Sequence, residues 1–134
     1  MSICKEKHLD KYEKTKTILI AEDDLSSFKL LSYIIGTTGA NVIRAINGKE
    51  AVKICESNQY IDLVFMDICM PEMDGFEATF KIKKFRNNLP IIIQSSYNDI
   101  KSIKKGYESG CDEYINKPIE KNKIFSLLNK YFLT

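Results

Sequence analysis

The chain has 134 residues, 44% hydrophobic and 28% charged, which suits one globular domain built around a single layered core. Its net charge of +2, from 20 basic and 18 acidic residues, is too balanced for the electrostatic footprint of a nucleic-acid binder. No apolar run approaches the roughly 20 residues of a membrane span, so neither nucleic acid nor a membrane is expected as a direct partner.

The four cysteines, Cys4, Cys55, Cys69 and Cys111, fall in no zinc or thioredoxin spacing, and His8 is the one histidine. Free thiols in a reducing compartment are expected, hence a cytoplasmic or cytoplasm-facing protein. Residues 1–16 are polar and lack the apolar block of a secretory signal, so they read as a flexible lead-in or linker, with 17–134 as the domain. His8 reads as a solvated residue within that lead-in.

Beyond residue 16 the pattern alternates strand and helix, which predicts an α/β fold with a parallel sheet. The first strand is Thr17 to Ala21. A helix follows from Leu25 to Ile35, with Phe28, Leu31 and Ile35 on one face and Leu30 and Ile34 beside it. Gly36 and Gly39 punctuate its end, as a left-handed cap would. Asn41 to Ala45 is a short second strand, and Asn47-Gly48 turns the chain into a second helix with Ala51, Ile54 and Cys55 as its apolar stripe.

Ile61 to Met66 is a near-continuous apolar run, as expected of a strand covered on both faces. Pro71 and Gly75 bracket a loop before a helix over Phe76 to Phe85. The basic group Lys81, Lys83, Lys84 and Arg86 falls where that helix ends, and cations there complement its dipole. Pro90 opens a fourth strand. Ile100, Ile103 and Tyr107 are expected to form the buried side of a fourth helix, closed by Gly110. Cys111 to Ile115 is the last strand, and Ile124, Leu127, Leu128 and Tyr131 mark an amphipathic final helix.

Four of the five strands run into polar groups. Ile18-Leu19-Ile20-Ala21 leads to Glu22-Asp23-Asp24, Leu63-Val64-Phe65-Met66 to Asp67, Ile91-Ile92-Ile93 through Gln94 to Ser95-Ser96, and Tyr114-Ile115-Asn116 to Lys117-Pro118. In open α/β sheets ligands bind at the carboxyl ends of the strands, so these groups are expected to converge in one crevice. Glu22 and Asp23 are adjacent carboxylates that repel unless a cation neutralises them, and a hard ion such as Mg²⁺ suits such oxygens. Alone, the pair reads equally well as an acidic turn with Asp24 as the next helix's N-cap; Asp67 at a neighbouring strand end favours a metal. Asp67 ends the most apolar strand, where a carboxylate can act as nucleophile and accept a phosphoryl group. Lys117 can then pair with one phosphate oxygen and Ser95 donate its hydroxyl to another, while Pro118 helps to aim Lys117 inward.

The segments ILIAEDD, DLVFMDICMPEMDG, PIIIQSS and CDEYINKPI closely resemble the receiver (response-regulator) domain of two-component signalling, over roughly residues 17 to 132. The resemblance implies a flavodoxin-like three-layer α/β/α fold with a doubly wound five-stranded parallel sheet in order 2-1-3-4-5. It implies Mg²⁺ held by Glu22, Asp23, Asp67 and the backbone carbonyl of Cys69, with Asp67 the acceptor from a phosphohistidine. It further implies Ser95 and Lys117 on the phosphoryl oxygens, and Tyr114 as an aromatic that changes rotamer with Ser95 and repacks the face of helix four, strand five and helix five.

The implied partners are a histidine kinase or histidine phosphotransfer protein, with phosphorylation-dependent self-association as a further outcome; the implied activities are self-phosphorylation and autodephosphorylation. Glu22 replaces the first Asp of the usual pair and Ser95 the more frequent Thr, and both keep the functional group. The Glu-Asp pair and the ending from Lys117-Pro118-Ile119 to Phe132 look more like receivers of hybrid sensor kinases than stand-alone regulators.

Cys69 and Tyr97, each two residues past a site residue, could flank the path of an attacking water without being good bases, which predicts slow autodephosphorylation. A flavodoxin-like cofactor binder would need a phosphate-cradling loop where this chain has Glu22-Asp23-Asp24. An aspartate-nucleophile phosphatase would need a second carboxylate where this chain has Cys69. A phosphorylation-independent binding module is not supported, because the whole phosphorylation set is present.

Overall fold

The computed structural model describes residues 15–133. Cys4, His8 and all but the last two residues of the expected lead-in lie outside the described residues. Five strands, β1 (Thr17–Ala21), β2 (Asn41–Ala45), β3 (Leu63–Asp67), β4 (Ile91–Ser95) and β5 (Glu113–Asn116), alternate with five helices. These are α1 (Leu25–Gly36), α2 (Gly48–Ser57), α3 (Gly75–Phe85), α4 (Ile100–Ser109) and α5 (Lys121–Phe132). All strand pairs are parallel, in the order β2-β1-β3-β4-β5. The fold is therefore the expected doubly wound sheet, and its strand order reverses between β1 and β3.

Alternation along the strands sorts the core into two layers. Leu19, Ala21, Val64, Met66, Ile91 and Ile93 face α2 and α3, meeting Ala51, Cys55, Ala78 and Ile82. Ile18, Ile20, Leu63, Phe65, Ile92 and Ile115 face the other way, onto Leu31, Ile34 and Ile35 of α1 and Ile124, Leu127 and Leu128 of α5. Every residue of β3 and β4 is buried, which is why these strands read as continuous apolar runs.

Helix starts follow capping chemistry. Asp24, Asn47, Asp74 and Asp99 each accept a bond from a backbone N–H in the first turn of α1, α2, α3 and α4. Gly110 closes α4 in the left-handed region at φ 107. After α1 it is Gly39 that adopts positive φ, while Thr37 at the cap is right-handed.

The fourth helix departs from expectation. Its spacing of Ile100, Ile103 and Tyr107 suggested a buried stripe, yet Ile100 is 86% exposed, Tyr107 49% exposed and Ile103 only half-buried. The one buried residue of α4 is Gly106. A Cβ there would lie 2.6 Å from Cδ2 of Tyr114, so the helix approaches β5 through a glycine and leaves its larger side chains outside.

The basic group at the end of α3 serves the fold. Arg86 donates to the carbonyls of Asn58 (3.0 Å) and Ile61 (2.7 Å) beyond α2, Lys83 pairs with Asp112 at 2.7 Å, and Lys81 pairs with Glu77 one turn back. Cys55, Cys69 and Cys111 are all unpaired, Cys69 alone being exposed. No helix among the described residues is long and apolar enough to cross a membrane.

Candidate phosphoacceptor site

The carboxyl ends of β1 and β3 lie side by side at the point where the strand order reverses. There Glu22, Asp23 and Asp67 each offer a carboxylate oxygen within 4.8 Å of the others. Glu22 and Asp67 are buried, and Asp23 is exposed. Lys117, following β5, reaches across the sheet edge to Glu22 Oε1 at 2.6 Å and to Asp67 Oδ1 at 3.0 Å. The backbone holds it there. The N–H of Lys117 donates to the Ser95 carbonyl at 2.8 Å, and the Lys117–Pro118 peptide is cis.

Two carboxylates share one ammonium in a buried setting, and the titration reflects it. Burial pushes the Asp67 carboxyl up to about 6; the Lys117 ammonium pulls it down, and the neighbouring Glu22 carboxylate pushes it further up. Burial also disfavours the charge on Lys117, but its hydrogen bonds to Glu22 and Asp67 outweigh that, so the ammonium stays above the ordinary lysine range. Three carboxylates against one lysine leave an excess of negative charge and a set of hard oxygen donors. That donor set fits a small divalent cation such as Mg²⁺.

Close backbone approach shapes the pocket. A Cβ on Gly75 would lie 2.2 Å from the Asp67 carbonyl oxygen, so the start of α3 can sit against the end of β3 only with glycine there. The Gly75 N–H donates to the Ile68 carbonyl at 2.9 Å. The intervening loop carries Cys69, and its far side is clipped to the start of α2 by Gly48 N–H to the Met73 carbonyl (3.1 Å) and by the Asn47 amide to Glu72 (3.2 Å). Glu72 lies in the left-handed region at φ 68.

Ser95 and Tyr114 are joined through one intermediary. The Ser95 Oγ accepts from the backbone N–H of Tyr97 at 2.9 Å, and the Tyr114 hydroxyl donates to the Tyr97 carbonyl. Tyr114 is half-buried, packed on Gly106 and the α2–α3 layer. Burial raises its phenol above the ordinary tyrosine range, partly countered by Ser95. The Tyr97 side chain is exposed beside them. Cys69 lies on the exposed loop two residues past Asp67, so the expected site residues are brought together as two linked groups: the carboxylates with Lys117, and Ser95 with Tyr114.

One contributor escaped the sequence reading. Arg44 of β2 donates from Nε to the Glu22 carbonyl and from Nη2 to the Asp23 carbonyl, both at 3.1 Å, with its guanidinium over the Phe28 ring. It grips the backbone of the acidic turn from behind and so orients both carboxylates. The sequence signal is an arginine placed in a strand beside an acidic turn, which acquires meaning only once β2 is known to pair with β1 in register Ile20↔Arg44.

Three carboxylates, two of them buried, with a lysine at the switch point of a five-stranded doubly wound sheet are the arrangement of a phosphoacceptor signalling module. The chain belongs to the response regulator receiver domain family, whose description it matches over residues 18–129. Relatives include a cyclic di-GMP phosphodiesterase of Thermotoga maritima, 34% identical over 103 residues that cover 77% of this chain and 27% of the relative. Another is hybrid signal transduction histidine kinase L of Dictyostelium discoideum, 34% identical over 121 residues covering 85% of this chain and 7% of the kinase.

Among solved structures, CheY in a CheX-CheY-BeF3-Mg complex from Borrelia burgdorferi superposes with a TM-score of 0.84 at 26% identity, over 97% of this chain and 99% of that one. A putative response regulator from Chloroflexus aurantiacus gives 0.84 at 26% identity, over 90% and 100%. The chain spans 27%, 51% and 24% of the lengths of three curated relatives, which carry further sequence beyond the shared domain.

Proposed function

We propose that this chain is the phosphorylation-switched receiver of a two-component pathway, with Asp67 as the phosphoacceptor. The observation that carries this reading is the Lys117 ammonium lying between Glu22 and Asp67 inside a cluster of three carboxylates. A carboxylate so placed is held close to a fixed cation, and a phosphoryl group arriving on it meets that same cation.

In this reading a carboxylate oxygen of Asp67 attacks the phosphorus of a phosphohistidine on a histidine kinase or phosphotransfer protein. The new O–P bond forms as the P–N bond breaks, and the electron pair returns to the imidazole, which takes a proton from water. Lys117 moves its charge from the free carboxylates to the phosphoryl oxygens, and the Ser95 hydroxyl donates to another of them. Glu22, Asp23, Asp67 and the Cys69 carbonyl would hold Mg²⁺, which offsets the charge of carboxylates and phosphoryl oxygens when bound.

Phosphorylation adds between one and two negative charges at the site. When Ser95 turns to the phosphoryl group, the Tyr97 N–H loses its partner, and the same residue's carbonyl holds the Tyr114 hydroxyl. The change therefore passes from Ser95 to Tyr114 through the backbone of one residue, Tyr97. It reads out on the face formed by α4, β5 and α5, where Ile100 and Tyr107 already stand exposed. We place the module in the cytoplasm, as the receiver of a hybrid sensor kinase. The Glu-Asp pair, the ending through Phe132 and the likeness to a hybrid kinase over 121 residues support this. Coupling to a separate output domain is the alternative, favoured by the relatives named as transcriptional regulators and a phosphodiesterase.

Incubation with acetyl phosphate and Mg²⁺ tests the proposal. The wild type should gain one phosphoryl mass, reversed by removing acetyl phosphate, and Asp67→Ala should gain none. Equal labelling of Asp67→Ala overturns the assignment.

A further inference from the structure

The loop that follows Asp67 turns on a residue held against its own preference. Glu72 sits at φ 68, and the Met73 N–H donates back to the Pro71 carbonyl at 2.8 Å. Residues 71–73 therefore form a γ-turn with positive φ at its centre, a rare and strained arrangement. Glycine takes that φ freely and a glutamate does not, so the side chain is where to look for the reason it is there. That side chain reaches the turn between β2 and α2, where Glu72 Oε2 accepts from Asn47 Nδ2 at 3.2 Å.

Asn47 is a fixed post. It is buried, and its Oδ1 accepts from the Glu50 N–H at 2.7 Å as the N-cap of α2. The Glu50 carboxylate accepts in return from the Ile46 N–H at 2.9 Å, which closes the turn from both sides. Next to it the Gly48 N–H donates to the Met73 carbonyl at 3.1 Å, and a Cβ on Gly48 would lie 2.4 Å from that oxygen. At its near end the loop is tied by the Gly75 N–H to the Ile68 carbonyl at 2.9 Å. Cys69 and Met70 alone separate that tie from the γ-turn, so the position of the Cys69 carbonyl depends on where the γ-turn is pinned.

From this strained turn and its anchor we propose that Asn47 and Glu72 are positioning residues for the metal site, holding the Cys69 carbonyl where a ligand of Mg²⁺ must be. The proposal rests on the receiver reading above, which makes that carbonyl a ligand. Neither residue belongs to the cluster of Glu22, Asp23 and Asp67, and both act through the backbone of the loop.

Calorimetric titration of Mg²⁺ into the full chain, beside urea unfolding in EDTA, tests it. Glu72→Gly fits the positive φ without strain, so it should unfold no earlier than wild type yet bind Mg²⁺ about tenfold more weakly. Glu72→Gln removes the charge but keeps an acceptor for Asn47, and should bind as wild type does. Asn47→Asp keeps the α2 cap while setting a carboxylate against that of Glu72. It should weaken Mg²⁺ although its added charge alone would favour a cation. Combining it with Glu72→Gln restores a donor, with the bond reversed, and should restore the affinity. Wild-type affinity in Glu72→Gly or Asn47→Asp overturns the inference and leaves the receiver reading standing. So does a loss that Asn47→Asp/Glu72→Gln fails to reverse, or one that Glu72→Gln reproduces. Failure of wild type to bind millimolar Mg²⁺ overturns both.

Discussion

The two helices that flank β5 are held in opposite ways. Helix α5 buries Ile124, Leu127 and Leu128 in the core, and Lys130 and Tyr131 both bind Glu113 of β5. Helix α4 buries one glycine, half-buries Ile103, and leaves Ile100 in solvent and Tyr107 half exposed. One element is bound by packed hydrocarbon; the other rests on an aromatic ring whose hydroxyl donates to the Tyr97 carbonyl. The switching role proposed above needs such a lightly held element, because a tightly packed helix could move only at the cost of the core.

That contrast can be broken most directly by truncation. Leu128→Ala should cost about 2–4 kcal/mol of unfolding free energy, whereas Ile100→Ala should stay within about 0.5 kcal/mol; urea unfolding of both measures the gap. Equal losses would mean that α4 carries hidden packing.

Asp67→Asn probes the site rather than the helices. The folded-state carboxyl is raised to about 6, so the stability it permits is full below the ordinary carboxylate range and lost as pH climbs through 6. Without divalent cation, Asp67→Asn should therefore match wild type near pH 4 and exceed it on the order of 1–2 kcal/mol at pH 7.5. Millimolar Mg²⁺ should narrow the difference by stabilising wild type alone. Thermal unfolding across that pH range, with EDTA or Mg²⁺, checks both halves.

Arg44→Ala should weaken Mg²⁺ binding by several-fold, about 1 kcal/mol, with Arg44→Lys recovering part of it. Calorimetric titration beside a urea curve separates orientation of the acidic turn from general destabilisation. The smallest effect is expected at Tyr97→Ala, where loss of an exposed ring should speed phosphate release only a few-fold, through easier entry of water. An unchanged release rate from isolated phosphoprotein ends that idea.

Four of the five strands were legible as short runs leading to a polar group, and a parallel sheet covered on both faces favours such apolar runs. Glu22, Asp67 and Lys117 could be named in advance since charge at the end of a buried strand needs a partner, and Lys117 pairs with both carboxylates while Asp23 lies exposed beside them. The burial of α4 was misjudged for a physical reason. Helical spacing identifies which side chains share a face, but not whether that face meets anything, and Gly106 brings the backbone itself to β5. Arg44 and Glu72 were passed over because their meaning depends on register and on a loop that folds back against the turn after β2. Neither is visible before the strands are paired.

Gly75 does no chemistry, yet any added side chain there would press on the carbonyl of Asp67 itself. In a saturation library selected for signalling, position 75 should accept substitutions no more readily than Asp67, the proposed phosphoacceptor. A screen that scores tolerance alone would count this silent neighbour among the reactive residues, and only separate measurements of folding and phosphate uptake would tell the two apart.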